Sequence, residues 1–204
     1  LFRSLKSIGL NPINNVVDIT NFVLHETGHP LHAFDADKIA GGKVIIKTMP
    51  ENTPFVTLDG VNRKLAATDL MICNTEKGMC IAGVFGGTES GITATTSKVF
   101  LESACFNPGF VRRTAKKHGL NTDASFRFER GADIDVTVYA AKRAALLIKE
   151  VAGGQISSDI VDVYPKIYEP RQVEISVQRI HDLLGKEIGQ DTMVSIMQSL
   201  DMKV

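Results

Sequence analysis

Apolar and polar positions alternate with several different periods along the chain, and each change of period marks an element. Residues 1–8 read as an amphipathic helix. Val16, Ile19, Phe22 and Val23 share one side of a helical wheel, which predicts a helix capped by Asn14 or Asn15 and stopped by Gly28 and Pro30. Its other side carries Asp18, Asn21 and His25, a polar stripe. Residues 43–49 shorten to a strand pattern, and Phe55-Val56-Thr57-Leu58 runs into Asp59-Gly60, a pair suited to the positive φ of a hairpin turn. Residues 70–73, 79–85 and 99–106 predict further buried strands, the last two separated by a polar Gly- and Thr-rich loop.

Asn107-Pro108 opens a helix that Gly119 ends, and residues 134–151 predict an Ala-rich core helix before Gly153-Gly154. Residues 160–164 read as a last strand and 165–170 as a linker. Beyond it come a short strand at 173–175 and short helices near 177–184 and 192–200. The expected fold is mixed α and β (α+β), with a central sheet flanked by helices and a small truncated α/β unit after it. The domain boundary is placed at 165/166. Residue 1 is Leu and helical patterns stand at both ends, so the chain is expected to be an excised piece of a longer polypeptide.

Composition narrows the function classes. Hydrophobic residues make up 44% and charged residues 23% of 204, ordinary values for a globular chain able to bury a core. Lys plus Arg number 23 and Asp plus Glu number 23, so nucleic-acid contact cannot rest on overall charge and needs a local patch. Arg112, Arg113, Lys116, Lys117 and His118 supply one; a solvated helix end is the plainer reading and phosphate contact the second. Cys73, Cys80 and Cys105 show no paired spacing, which points to a reducing compartment. No apolar run approaches the ~20 residues of a membrane span, and a cytoplasmic protein is expected.

His25, His29 and His32 are spaced like metal ligands, but Gly28 and Pro30 break the helix between them, so no metal site is predicted. His25 and His29 read as partly exposed polar residues, whereas His32 follows a turn where a side chain can enter a cleft. Glu102 interrupts the apolar run Val99 to Phe106 and alternates onto the face of Phe100, Ala104 and Phe106. A carboxylate there is costly without partners, so a lined pocket competes with an edge position in solvent. Gly83-Val84-Phe85-Gly86-Gly87 lets a ligand approach the backbone but lacks the Lys-Ser/Thr of a nucleotide P-loop. Thr122-Asp123-Ala124-Ser125 reads as a capping segment. No local signature marks a Ser-His-Asp or Cys-His arrangement, so a hydrolase here would use water as its nucleophile.

Several blocks in order resemble one family: residues 12–23 (Pro-Ile-Asn-Asn-Val-Val-Asp-Ile-Thr-Asn-Phe-Val), 28–35 (Gly-His-Pro-Leu-His-Ala-Phe-Asp), 83–87, 101–104 (Leu-Glu-Ser-Ala) and 113–131. They resemble the editing module of bacterial phenylalanyl-tRNA synthetase beta subunits, and residues 180–185 resemble the opening of the next module. The resemblance implies hydrolysis of tyrosine wrongly esterified to phenylalanine tRNA, with that tRNA and a synthetase alpha subunit as partners. It implies that Glu102 recognises the tyrosine hydroxyl and that His32 is the editing-site histidine. Thr20 and Asn21 would line the pocket, and Gly86, Thr122 and Ala124 would surround the amino acid or terminal adenosine. No cofactor is implied for this module; ATP and magnesium belong to the whole synthetase. Gly83, Gly86 and Gly87 offer backbone N–H groups for an oxyanion. Two rivals stand beside this reading: a non-catalytic scaffold that holds tRNA or the other subunit, and a metallohydrolase built on the histidines.

Overall fold

Short helix α1 (Phe2–Ser7) leads to α2 (Asn15–Thr27), which starts where Asn14 accepts a hydrogen bond from the Val17 amide at 2.9 Å. Gly28, at φ +74°, closes α2 in the left-handed region, where a side chain would be strained. The chain then enters β1 (Leu31–Asp35), a strand that the sequence pattern did not announce. Its polar residues His32 and Asp35 fall on opposite faces, so no simple alternation marks it. The computed structural model describes residues 1–165, 167–169 and 171–204, and divides into two compact units, 1–159 and 160–204.

In the first unit, β2 (Ile45–Thr48), β5 (Leu70–Cys73), β6 (Gly78–Ile81) and β7 (Phe85–Gly86) form a four-stranded sheet in the order β2-β5-β6-β7, every neighbour antiparallel. The hairpin of β3 (Pro54–Val56) and β4 (Asn62–Lys64) turns at Asp59-Gly60 as the sequence predicts. Arg63 ties the hairpin down, donating to Asp59, to the Thr57 hydroxyl and to the His118 carbonyl. The expected single strand at 79–85 is two strands, because Gly83 takes φ +68° and the Val84 amide bonds back to the Ile81 carbonyl. A last strand, β8 (Val99–Ser103), pairs antiparallel with β1.

Three helices complete this unit: α3 (Pro108–His118), α4 (Asp123–Phe128) and α5 (Thr137–Ala152). One apolar cluster joins Phe34, Ile72, Ile81, Phe106 and Phe128. A second packs Ile19 and Val23 of α2 against Ala140 and Ala144 of α5, whose small side chains let the helices close. Leu31 and Leu101 press onto this second cluster from one face of the β1–β8 pair. Burying each of Ile19 and Val23 there is worth ~1.5–3 kcal/mol. Among the described residues no helix is long and apolar enough to cross a membrane.

His118 is not part of a solvated basic end. Its side chain is 5% exposed, and Nε2 donates to Asp69 at 2.6 Å. Asp69 also accepts from the Ala66 amide and the Thr114 hydroxyl, so three donors hold one buried carboxylate.

In the second unit, α6 (Val177–Leu184) is capped by Ser176 and followed by α7 (Gln190–Ser199). Neither 160–164 nor 173–175 is a strand. Val161 and Val163 are 86% and 79% exposed, and β-branched residues without a neighbouring strand have no ladder to join. Of the expected linker at 165–170, Lys166 and Pro170 lie outside the described residues.

Candidate functional site

Leu31 and Leu101 turn one face of the β1–β8 pair toward α2 and α5, so alternation sends His32, Phe34, Phe100 and Glu102 to the other. His32 and Glu102 are register partners, directly opposite each other, as are Phe34 and Phe100. Opposed residues of an antiparallel pair bring their Cβ atoms ~4.5–5.5 Å apart on one side of the sheet. The His32 ring stands edge-on to Phe34, with centroids 4.5 Å apart. Both polar side chains are half-buried.

Burial acts on the two in opposite senses. It pushes the His32 imidazole down to about 4 and the Glu102 carboxyl up to about 8, with no hydrogen bond or neighbouring charge to offset it. Near neutral pH both groups are therefore uncharged. Glu102 is a protonated acid, able to donate as well as accept, rather than the carboxylate that the sequence pattern brings to mind.

Gly86 of β7 meets His32. A Cβ built on it would lie 2.8 Å from Leu58 Cδ1, closer than real side chains approach, and 3.0 Å from His32 Cε1, a tight contact. The other glycines of that run have different tasks. Gly83 is packed against Phe106, Phe128 and Val111, and the Gly87 amide donates to the Met79 carbonyl. The Gly87 amide is thus already engaged and is not free for an oxyanion.

Thr20 and Asn21 sit on α2, which covers the other face of the β1–β8 pair. Thr20 is buried with its hydroxyl on the Val17 carbonyl, and Asn21 is half-buried. Among the described residues no hydrogen bond joins either to His32 or Glu102. Thr122 caps α4, accepting from the Ser125 amide and donating to the Val84 carbonyl at 2.9 Å. Ala124 packs on the main core cluster. These contacts hold α4 beside the turn between β6 and β7, two residues from Gly86.

The clustered histidines point three ways. His25 is exposed, beside Arg127. His29 is not partly exposed as expected; it is 1% exposed, edge-on to Phe128, with neither ring nitrogen hydrogen-bonded among the described residues. The chain reversal at Gly28-His29-Pro30 carries it inward, and burial lowers its pKa. Among the described residues no three His, Cys, Asp or Glu side chains gather as a metal site would need.

The family model of the B3/4 domain matches residues 1–153, three quarters of the chain. The chain belongs to the B3/4 domain family. It is similar to curated proteins named phenylalanine–tRNA ligase beta subunit. That of Bacteroides fragilis (strain YCH46) is 60% identical over 204 residues, covering 100% of this chain and 25% of the relative. Those of Porphyromonas gingivalis (strain ATCC BAA-308 / W83) and Geobacter metallireducens (strain ATCC 53774 / DSM 7210 / GS-15) are 53% and 49% identical, again over the whole chain, covering 25% and 26% of their own length. The chain thus spans about a quarter of these relatives.

Two further residues of this B3/4 domain border the site without having stood out in the sequence. Leu58 precedes the hairpin turn, is 50% exposed, and donates its amide to the Gly86 carbonyl. Its apolar side chain in the open beside a glycine was the available signal. Cys80, on β6, pairs with Gly86 and lies near enough to Glu102 for that carboxyl to help raise the thiol after burial. Nothing in its apolar run set it apart from a core cysteine.

Proposed function

We propose that this B3/4 domain is an editing site that hydrolyses tyrosine wrongly esterified to phenylalanine tRNA. The observation that carries the reading is the pairing of His32 with Glu102 across β1 and β8, with Gly86 leaving room against the imidazole. The relatives' name, phenylalanine–tRNA ligase beta subunit, supplies the tRNA and a further subunit as partners; ATP and magnesium are expected only for the whole synthetase.

Water would be the nucleophile. A histidine with a pKa near 4 is neutral and a weak base, so His32 orients the water through its unprotonated nitrogen more than it removes a proton. Water adds to the ester carbonyl, the ribose oxygen leaves and takes a proton, and free amino acid and tRNA result. Glu102 reads the ring. A tyrosine hydroxyl can accept from the Glu102 acid and donate to its carbonyl oxygen, whereas phenylalanine leaves both unpaired. Leaving buried polar groups unpaired costs ~1–3 kcal/mol, a preference of about tenfold to hundredfold. In this proposal Thr122 and Ala124 border the substrate from the start of α4, while Thr20 and Asn21, on the helix behind the β1–β8 pair, support the sheet that carries His32 and Glu102.

The test is a deacylation assay on the full-length synthetase with tyrosyl- and phenylalanyl-charged phenylalanine tRNA. The expected result is faster release of tyrosine, lost on replacing His32 or Glu102. Equal rates for both esters in parent and variants would remove the proposal.

A further inference from the structure

We propose that the cavity beside the β3–β4 hairpin, apart from the His32–Glu102 pair, binds an unstacked nucleobase. The cavity holds about 890 Å³ and is lined by Met49, Phe55, Leu65 and Met79 together with Asn74. That volume lies in the range of small-molecule sites and admits a nucleoside. Asn74 is 1% exposed. Its Oδ1 accepts from the amides of Glu76 and Lys77, while its Nδ2 has no partner among the described residues. A buried amide donor left unpaired is costly, and a ligand acceptor removes the cost.

The charges on the wall decide the class of ligand. Lys38, Lys77, Glu76 and Glu89 cancel. Lys77 is paired with Glu89, and Lys38 donates to the Gly91 carbonyl beside Asp35. A phosphate or a carboxylate would find no uncommitted cation among them. A neutral molecule with flat apolar faces and hydrogen-bonding edges fits instead: its faces lie against Phe55 and the methionine thioethers, and a ring nitrogen or carbonyl meets Asn74 Nδ2. Among biological molecules of that description nucleobases are the common ones, and splayed bases are read by this combination of stacking and amide contacts.

The two glycines at the end of β7 separate this cavity from the proposed editing site. The missing side chain of Gly86 faces His32 and Leu58, and that of Gly87 faces Phe55 and the Met79 carbonyl. A base from a single-stranded RNA end and a free nucleoside share the chemistry. Choosing the RNA rests on the editing reading; the base site itself does not.

The probes are 2-aminopurine riboside and a short single-stranded RNA carrying one 2-aminopurine, titrated into the full-length protein and read by fluorescence. Asn74→Asp keeps Oδ1 for the turn and replaces the donor with an acceptor. It is expected to weaken binding about tenfold or more. Thr88→Phe, at an exposed position on the cavity wall, should fill the opening and abolish binding with the melting temperature unchanged. Binding of both probes supports a site open to free bases; binding of the RNA alone supports a strand-borne base. Failure of both probes to bind, or parent affinity in Thr88→Phe, would overturn the proposal. Deacylation measured alongside keeps the two readings apart, since an Asn74-dependent base site in a protein without hydrolysis would sink only the editing reading.

Discussion

His32 and Glu102 face each other across the β1–β8 pair, and the same burial leaves one unprotonated and the other protonated near neutral pH. A histidine and a glutamate on one rung have the makings of an ion pair, yet among the described residues no salt bridge joins these two. Burial withdraws solvent from both and neutralises each, leaving a polar but uncharged pair suited to a neutral phenol and a neutral ester.

The neutral acid gives the first prediction. Glu102→Gln keeps a donor and an acceptor, so it should retain most of the preference for tyrosyl over phenylalanyl ester. Glu102→Ala should lose about tenfold to hundredfold of it. The ratio of kcat/KM for the two esters checks this, and a glutamine variant as indiscriminate as alanine would show that a charge is needed.

The same acid makes stability depend on pH. An unfolded glutamate releases its proton near 4.5, while the folded one keeps it to about 8. Between these values the folded state binds more protons, so the stability contributed by Glu102 falls as pH rises and levels off above 8. Glu102→Gln removes that loss. Its gain over the parent should grow from pH 5 to pH 9 and reach about 1–3 kcal/mol, reduced because the carboxyl is only half-buried. Thermal melts at a series of pH values measure it.

His32 has the opposite sign. Its folded pKa of about 4 lies below the ordinary 6.5, so its contribution is lost as pH falls from 6.5 toward 4. For activity, the imidazole stays unprotonated throughout that interval. The acid limb of kcat/KM for deacylation should therefore fall near pH 4–5, and a limb centred at 6.5 would mean that the site is open to water when it reacts.

The register that makes this pair was not legible in the sequence. Alternation assigned Glu102 a face with Phe100, and the break at Gly28-Pro30 set His32 apart. Neither says that residues 70 positions apart share a rung, because hydrophobic pattern fixes which side a residue faces and not which strand it meets. Helix ends were far more legible: Asn14, Asn107, Gly28 and Gly119 act through local backbone bonds, and each stands where the structure caps a helix. His29 failed for a tertiary reason, since nothing local says that a polar ring after Gly28 turns inward. The 160–164 strand failed because its valines have no partner strand.

Gly86 offers the sharpest mutational test of how tightly the site is built. In Gly86→Ala the new methyl would stand 2.8 Å from Leu58 Cδ1 and 3.0 Å from His32 Cε1, so Leu58 must shift and the imidazole must give as well. Leu58 is half exposed and can swing outward; His32 is held edge-on by Phe34. Displacement of the imidazole by even an ångström is expected to slow deacylation of both esters about a hundredfold, with little change in melting temperature. Trimming the leucine in the double variant Gly86→Ala/Leu58→Ala should restore part of the rate, a coupling that independent sites would not show. Gly87→Ala is the control. Its methyl meets the Met79 carbonyl at 2.7 Å and the Phe55 ring, backbone and core that cannot yield, so it should lower the melting temperature instead. If Gly86→Ala behaved like Gly87→Ala, or deacylated at the parent rate, the close approach of Gly86 to His32 would have no part in the chemistry.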